Sequence, residues 1–291
     1  MSGQKKPLSI SKMFVGVLIY IQLIVVLIIV LYPVIWLVGS ALSPLRGSPG
    51  MALQDGMSAI PSEVTLANFS RLFEDHNFSI WYRNTLTIAV LTMLGAVVVH
   101  TFMGFVFARL QFTGRRIGLL AILILQMFPS FLALVAIWVI FLTFNLLDNI
   151  YALVLLYVTG GIPFSMWLVR GYMLNIPKSL DEAAYIDGAS KIQVFTKVIF
   201  PLSKPIVTFI AFTSFMAPWM DWILPNMLLR STANHTLAMG LFQLADQGSS
   251  SYDITAFTAG ALIVGTPIAM IYFVFQRYLL TGLTAGANKG E

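Results

Sequence analysis

The chain has 291 residues, of which 58% are hydrophobic and only 10% charged, with a mean hydropathy of +0.86. Soluble domains carry roughly 25% charged residues, so this composition excludes an ordinary water-soluble globule. The formal net charge of +5 comes without a dense Lys/Arg patch interleaved with aromatics, which leaves no case for nucleic acid as a partner, and the absence of cysteine excludes disulfides, Cys-type zinc sites and cysteine nucleophiles.

Lys5, Lys6 and Lys12 precede an apolar run over residues 13–42, with small residues such as Ser40 and Ala41 at its end. That arrangement mimics a signal peptide, but a signal h-region holds only ~7–15 apolar residues. The run is about twice that length, so an uncleaved first span is expected. A bilayer crossing needs roughly 20 apolar residues, and six stretches qualify: 14–42, 82–110, 117–144, 150–173, 205–225 and 254–280. Backbone polar groups inside a bilayer must be satisfied within the segment, so runs of this kind are helices. The expected fold class is all-α, a polytopic membrane helical bundle formed by one transmembrane domain over residues 1–291. Pro33, Pro129, Gly160, Gly161, Pro163, Pro218 and Pro267 fall inside these spans. Such breaks are tolerated where neighbouring helices cover the freed groups, which suggests a packed bundle.

With the N-terminus placed inside, the inner segments hold thirteen Lys and Arg and the outer ones only Arg46, Arg71, Arg83 and Arg230. This bias orients the chain with both termini cytoplasmic. Two outer segments are long, 43–81 and 226–253. The sequons at Asn68, Asn77 and Asn234 carry no weight, because such triplets arise by chance. Near the outer end of the fifth span, Asp221 lies between Trp219 and Trp222. An acid flanked by aromatics suits a sugar path, and it equally suits the aromatic belt of a membrane interface. His100 is ionisable within a span and so a candidate for the path; its alternative is a histidine hydrogen-bonded inside the bundle.

The inner segment 175–205 is the most informative. Ser179 and Glu182 form Ser-x-x-Glu, which reads as a capping box opening a helix. That helix is expected to reach Asp187, with Gly188 supplying the left-handed position that ends it. Ser190 and Gln193 form a second box, opening a helix toward Phe200, and Pro201 and Pro205 turn the chain into the fifth span. The first helix presents Ala183 and Ala184, small enough for close approach by another backbone. Ile186, Ile192, Phe195 and Ile199 are expected as apolar anchors for a groove on a partner. The alternative is a pair of interfacial helices lying on the bilayer surface.

Glu182-Ala183-Ala184, then Asp187-Gly188-Ala189, then Pro201-Leu202 and Pro205 resemble the signature of permease subunits in binding-protein-dependent ABC importers. That pattern is Glu-Ala-Ala, three residues, Gly, and an apolar stretch ending in Leu-Pro. Here Phe200-Pro201-Leu202 departs from it in a way common in the sugar branch. Residues 276–290, Gln126-Met127-Phe128-Pro129 and Asn84-Thr85 resemble the maltose-type carbohydrate permeases. The resemblance implies a shorter, six-span permease that translocates maltose, maltodextrin or a related oligosaccharide. It implies a second, different permease, two ATPase subunits inside and a sugar-binding protein outside, with lipid around the bundle. ATP and Mg would reside on the partner ATPases, and no cofactor on this chain. The ATPase-coupling residues it implies are Ser179, Glu182, Ala183, Ala184, Asp187, Gly188, Ala189, Phe195 and Pro201. The 276–290 tail would approach the ATPases, and the 228–253 loop would reach the binding protein.

No Gly-x-x-x-x-Gly-Lys-Ser/Thr occurs, so this chain has no P-loop, and no His-Glu-x-x-His or Gly-x-Ser-x-Gly points to an intramembrane enzyme. A secondary transporter would show inverted repeats and buried ion sites, whereas only His100 and Asp221 lie near the spans. A passive scaffold would not require the two-helix loop.

Overall fold

The computed structural model describes residues 10–44 and 63–284. All regular structure among them is helical: α1 (Ile10–Ala41), α2 (Ala67–Glu74), α3 (Phe78–Arg109), α4 (Arg115–Met127), α5 (Leu134–Thr143), α6 (Ile150–Leu174), α7 (Lys178–Ile186), α8 (Lys191–Leu202), α9 (Lys204–Met220), α10 (Ile223–Leu228), α11 (Leu237–Ala245) and α12 (Ile254–Thr284). Four of these are long and apolar enough to cross a membrane: α1 over Val15–Ala41, α3, α6 and α12 over Ile254–Gln276. The number rises to six if each of two bent pairs is one span.

One of these bends corrects the sequence reading, as does the end of the fifth span; the other, 82° between α8 and α9, falls where Pro201 and Pro205 were expected to turn the chain. The expected span 117–144 is two helices meeting at 91°. Pro129 is the cause. It lacks an N–H and disfavours helical geometry at the residue before it, and Phe128 is extended with ψ 127°. The expected span 205–225 ends at Met220, because Asp221 is extended with ψ 116° and the chain restarts as α10.

Two compact units divide the chain, Met1–His76 with Gln243–Val264 and Asn77–Phe242 with Gly265–Glu291. In the first, α1 is exposed from Val17 to Ile35 and buried only at its last turn, through Ser40 and Ala41. Asn68 fixes that turn, its Nδ2 donating to the carbonyls of Ala41 at 2.9 Å and Ser43 at 2.8 Å. Asp253 starts α12 by accepting from the Ala256 N–H and the Thr255 hydroxyl, and its other oxygen pairs with Arg71.

The second unit is built on the parallel pair α3 and α6. Lipid tails are as apolar as leucine, so helices in a bilayer associate through close packing of small residues rather than by escape from water. Gly104 shows the consequence: a Cβ there would lie 2.4 Å from Cγ1 of Val169, and one on Gly161 would lie 2.9 Å from the His100 ring. α9 packs on the same pair, and Ile206 and Ile210 join Phe105, Val169 and Met173 in one buried cluster. The large exposed side chains on this unit, such as Ile117, Leu125 and Val135, suit contact with lipid or with another membrane subunit.

Candidate functional site

α7 and α8 form an elbow at the end of the bundle where α3 and α6 terminate. The first helix begins differently from the sequence reading. Pro177 occupies the N-cap, no side chain caps it, and Ser179 and Glu182 do not form the expected box. Proline is suited to this place because its missing N–H would have no helical partner anyway. The helix ends as expected. Gly188 has φ +81°, its N–H meets the Tyr185 carbonyl at 3.0 Å, and the Ala189 N–H meets the Ala184 carbonyl at 2.9 Å. These two bonds make a Schellman cap, which favours glycine at the left-handed position. The Ser190–Gln193 box opens α8 as expected, with the Ser190 N–H donating to Gln193 Oε1 at 2.7 Å. Residues Val194–Ile199 then form a π-helical stretch, a feature frequent at functional sites. α8 and α9 meet at 82°.

The elbow has two faces, and the residues expected to couple divide between them. Ser179, Glu182, Ala183, Asp187, Gly188 and Pro201 are exposed. Ile186 and Ile192 join them, 87% and 66% exposed. Ala184 and Ala189 pack against the chain's own buried cluster. So does Phe195, whose ring centroid lies 5.0 Å from that of Phe105 and 5.5 Å from that of Phe102. Ile199 is fully buried. Phe195 and Ile199 therefore anchor the elbow to its own bundle, a correction to their reading as anchors for a partner.

The sequence reading also missed the group that holds the elbow. Arg109, the last residue of α3, places Nε 3.0 Å from Asp181 Oδ2, with both side chains almost fully buried. Its Nη2 donates to the Ile176 carbonyl at 2.7 Å, immediately before Pro177. Burial raises the Asp181 pKa and the neighbouring Arg109 charge opposes that rise. Two more arginines gather here: Arg115 and Arg170 both donate to the Phe107 carbonyl. Cations at a helix C-terminus complement its partial negative charge.

The candidate sugar-path residues are not gathered into one site. Asp221 accepts the Tyr157 hydroxyl at 2.9 Å and the Leu224 N–H at 3.2 Å, so it is engaged in starting α10. Trp219 is buried against Tyr82 and Phe215, while Trp222 packs on Phe242. His100 Nε2 lies 2.8 Å from the Val158 carbonyl within the α3–α6 contact.

At the opposite end of the α3–α6 pair, the expected outer loop is tightly stitched. Asp148, with φ +59°, accepts from the N–H groups of Arg230 at 2.9 Å and Ser231 at 3.0 Å, and its carbonyl accepts from Asn234 Nδ2 at 2.6 Å. Burial would raise its pKa, but the Ser231 and Arg230 N–H groups win and hold it at about 2. Asn84 donates to the carbonyls of Ala233 and His235, and the Thr85 hydroxyl accepts the Leu237 N–H. The tail 285–290 lies outside the described residues.

The family model for the binding-protein-dependent transport system inner membrane component matches residues 100–284. The chain belongs to this family. It is 38% identical over 275 residues to the galactooligosaccharides transport system permease protein GanQ of Bacillus subtilis, covering 93% of this chain and 94% of that one. It is 36% identical over 282 residues to the maltodextrin transport system permease protein MdxG of the same organism, covering 97% and 99%. A third relative, the maltose/maltodextrin transport system permease protein MalG of Escherichia coli, is 35% identical over 72% of each chain. The fold is shared with a chain of a bacterial ABC transporter involved in the import of the acidic polysaccharide alginate, at TM-score 0.79, 23% identity and coverage of 94% and 99%. The chain is thus the membrane component, the permease, of such a system, and not its ATPase.

Proposed function

We propose that this permease imports an oligosaccharide of the maltodextrin or galactooligosaccharide kind across the cytoplasmic membrane. It works with a second, different permease, two ATPase subunits that hold ATP and Mg, and an extracytoplasmic sugar-binding protein. Both termini are cytoplasmic, and the α7–α8 elbow is the seat of the ATPase. The observation that carries this reading is the exposed elbow face, where Glu182, Ala183, Ile186 and Ile192 surround the Gly188 turn. Apolar side chains this exposed, beside acidic groups on a short helix, suit a groove on a soluble partner. The relatives' names support the sugar class.

Mechanistically, closure of the ATPase dimer moves the elbow, and the elbow moves the spans it connects. ATP drives the change only insofar as the ATPase binds the elbow differently in its open and closed states. Gly188→Val tests this. A β-branched residue at positive φ is strained, which opens the Schellman turn and redirects α8. In vesicles containing the permease with its cognate second permease, ATPase and binding protein, ATP-dependent uptake of labelled oligosaccharide should fall more than tenfold, while the variant still inserts. Undiminished uptake by the variant contradicts the elbow's role. Wild-type uptake driven by an ion gradient without ATPase contradicts the importer reading.

A further inference from the structure

α7 is joined to α6 through the covalent joint Asn175–Pro177, but its carboxylate is held by α3. Arg109 grips both sides of that joint: Nη2 on the Ile176 carbonyl at 2.7 Å, before the proline, and Nε against Asp181 Oδ2 at 3.0 Å, one turn into α7. The two side chains are 3% and 11% exposed. A buried ion pair adds little stability over an apolar replacement, and its best-attested use is to fix the register of the elements it joins. α7 has no side-chain N-cap to do that work. The α3 end is itself rigid: Arg115 and Arg170 close its last carbonyls, and Gly104 seats it on Val169 of α6.

We propose that Arg109 and Asp181 are a positioning pair that makes α7 and the end of α3 one rigid body, so that movement of the elbow passes into α3 directly as well as along the chain into α6. This rests on the reading of the elbow as the ATPase seat. The pair does not touch the ATPase; it acts through α7.

The test uses the full importer in vesicles and reads oligosaccharide transported per ATP hydrolysed, per assembled complex. Asp181→Asn keeps the shape and removes the charge, and it should lower that ratio more than tenfold; Asp181→Glu should restore most of it. A merely structural role would reduce the yield of assembled complex and leave the ratio unchanged, which would overturn the proposal. A second measurement stands even if Asp181→Asn fails to assemble. The chain has no native cysteine, so spin labels can be placed at Val106→Cys, in the last turn of α3, and Lys178→Cys alone. Their separation should stay constant on ATP binding with the pair intact, and a change there would equally overturn the proposal. Wild-type vesicles without ATP-driven uptake would instead refute the function proposed above; uptake with an unchanged ratio in Asp181→Asn refutes only this inference.

Discussion

The two ends of the α3–α6 pair are built in opposite ways. At one end, segment 228–237 is tied by many hydrogen bonds from Asp148, Asn84, Thr85 and Asn234, most of them to backbone groups. At the other, α7 ends on the Gly188 turn, is held by the Arg109–Asp181 ion pair, the Arg109–Ile176 bond and the packing of Ala184, and the elbow shows Ile186 and Ile192 outward. Many distributed bonds to backbone hold a segment in one conformation. A short helix tied mainly by its own side chains to the end of α3 can pass on a displacement as a block, and its outward apolar side chains suit a partner. On the proposed reading of the elbow, the difference separates a capped end from a coupling end, carried on the same two helices.

The comparison breaks altogether if the shared frame is lost. Gly104→Leu places atoms where Val169 already sits, its Cβ alone 2.4 Å from Cγ1. Overpacking of this kind costs about 1–3 kcal/mol or more, so thermal unfolding in detergent should move down sharply and both ends should fail together. Asp148→Ala sharpens the comparison, because it removes the acceptor for two backbone N–H groups at the fixed end only. Hydrogen bonds to a charged group are worth about 1.5–3 kcal/mol, so amide exchange over 229–237 should accelerate while that of α7 stays unchanged. The smallest effect is on pH dependence. The Asp148 pKa is depressed from 3.8 to about 2. Its contribution is therefore complete above pH 3.8 and lost as pH falls toward 2. Protection of 229–237 should decline across that window in the wild type more than in Asp148→Asn.

Much of this was legible in the sequence. The long apolar runs gave α1, α3, α6 and α12 to within a few residues, because a continuous apolar run of that length satisfies its own backbone in lipid as a helix. The Gly188 corner and the Ser190–Gln193 box follow from local chemistry alone. Pro129 was visible as a residue but not as a corner, since a proline in a span is compatible with either a kink or a corner, and nothing in the apolar pattern marked Asp221 as the end of α9. The Ser179–Glu182 box failed because Pro177 already opened the helix upstream. Arg109–Asp181 and Asp148–Ser231 were not readable at all. Each joins residues far apart in sequence, and neither spacing nor periodicity encodes which partner a carboxylate will meet. Phe195 was misplaced because an apolar side chain on a short helix suits a partner's groove and its own bundle equally, and its neighbours Phe102 and Phe105 lie far away in sequence.

The central claim is that the elbow meets the ATPase and the opposite end does not. Single cysteines at Ile186, Ile192, Asn226 and Arg230 in the otherwise cysteine-free chain, treated with a short cross-linker in the assembled importer, test it directly. Adducts with the ATPase subunit at Ile186 and Ile192, and none at Asn226 or Arg230, are the expected result. No ATPase adduct from either elbow position, or equal adducts at both ends, would contradict the account.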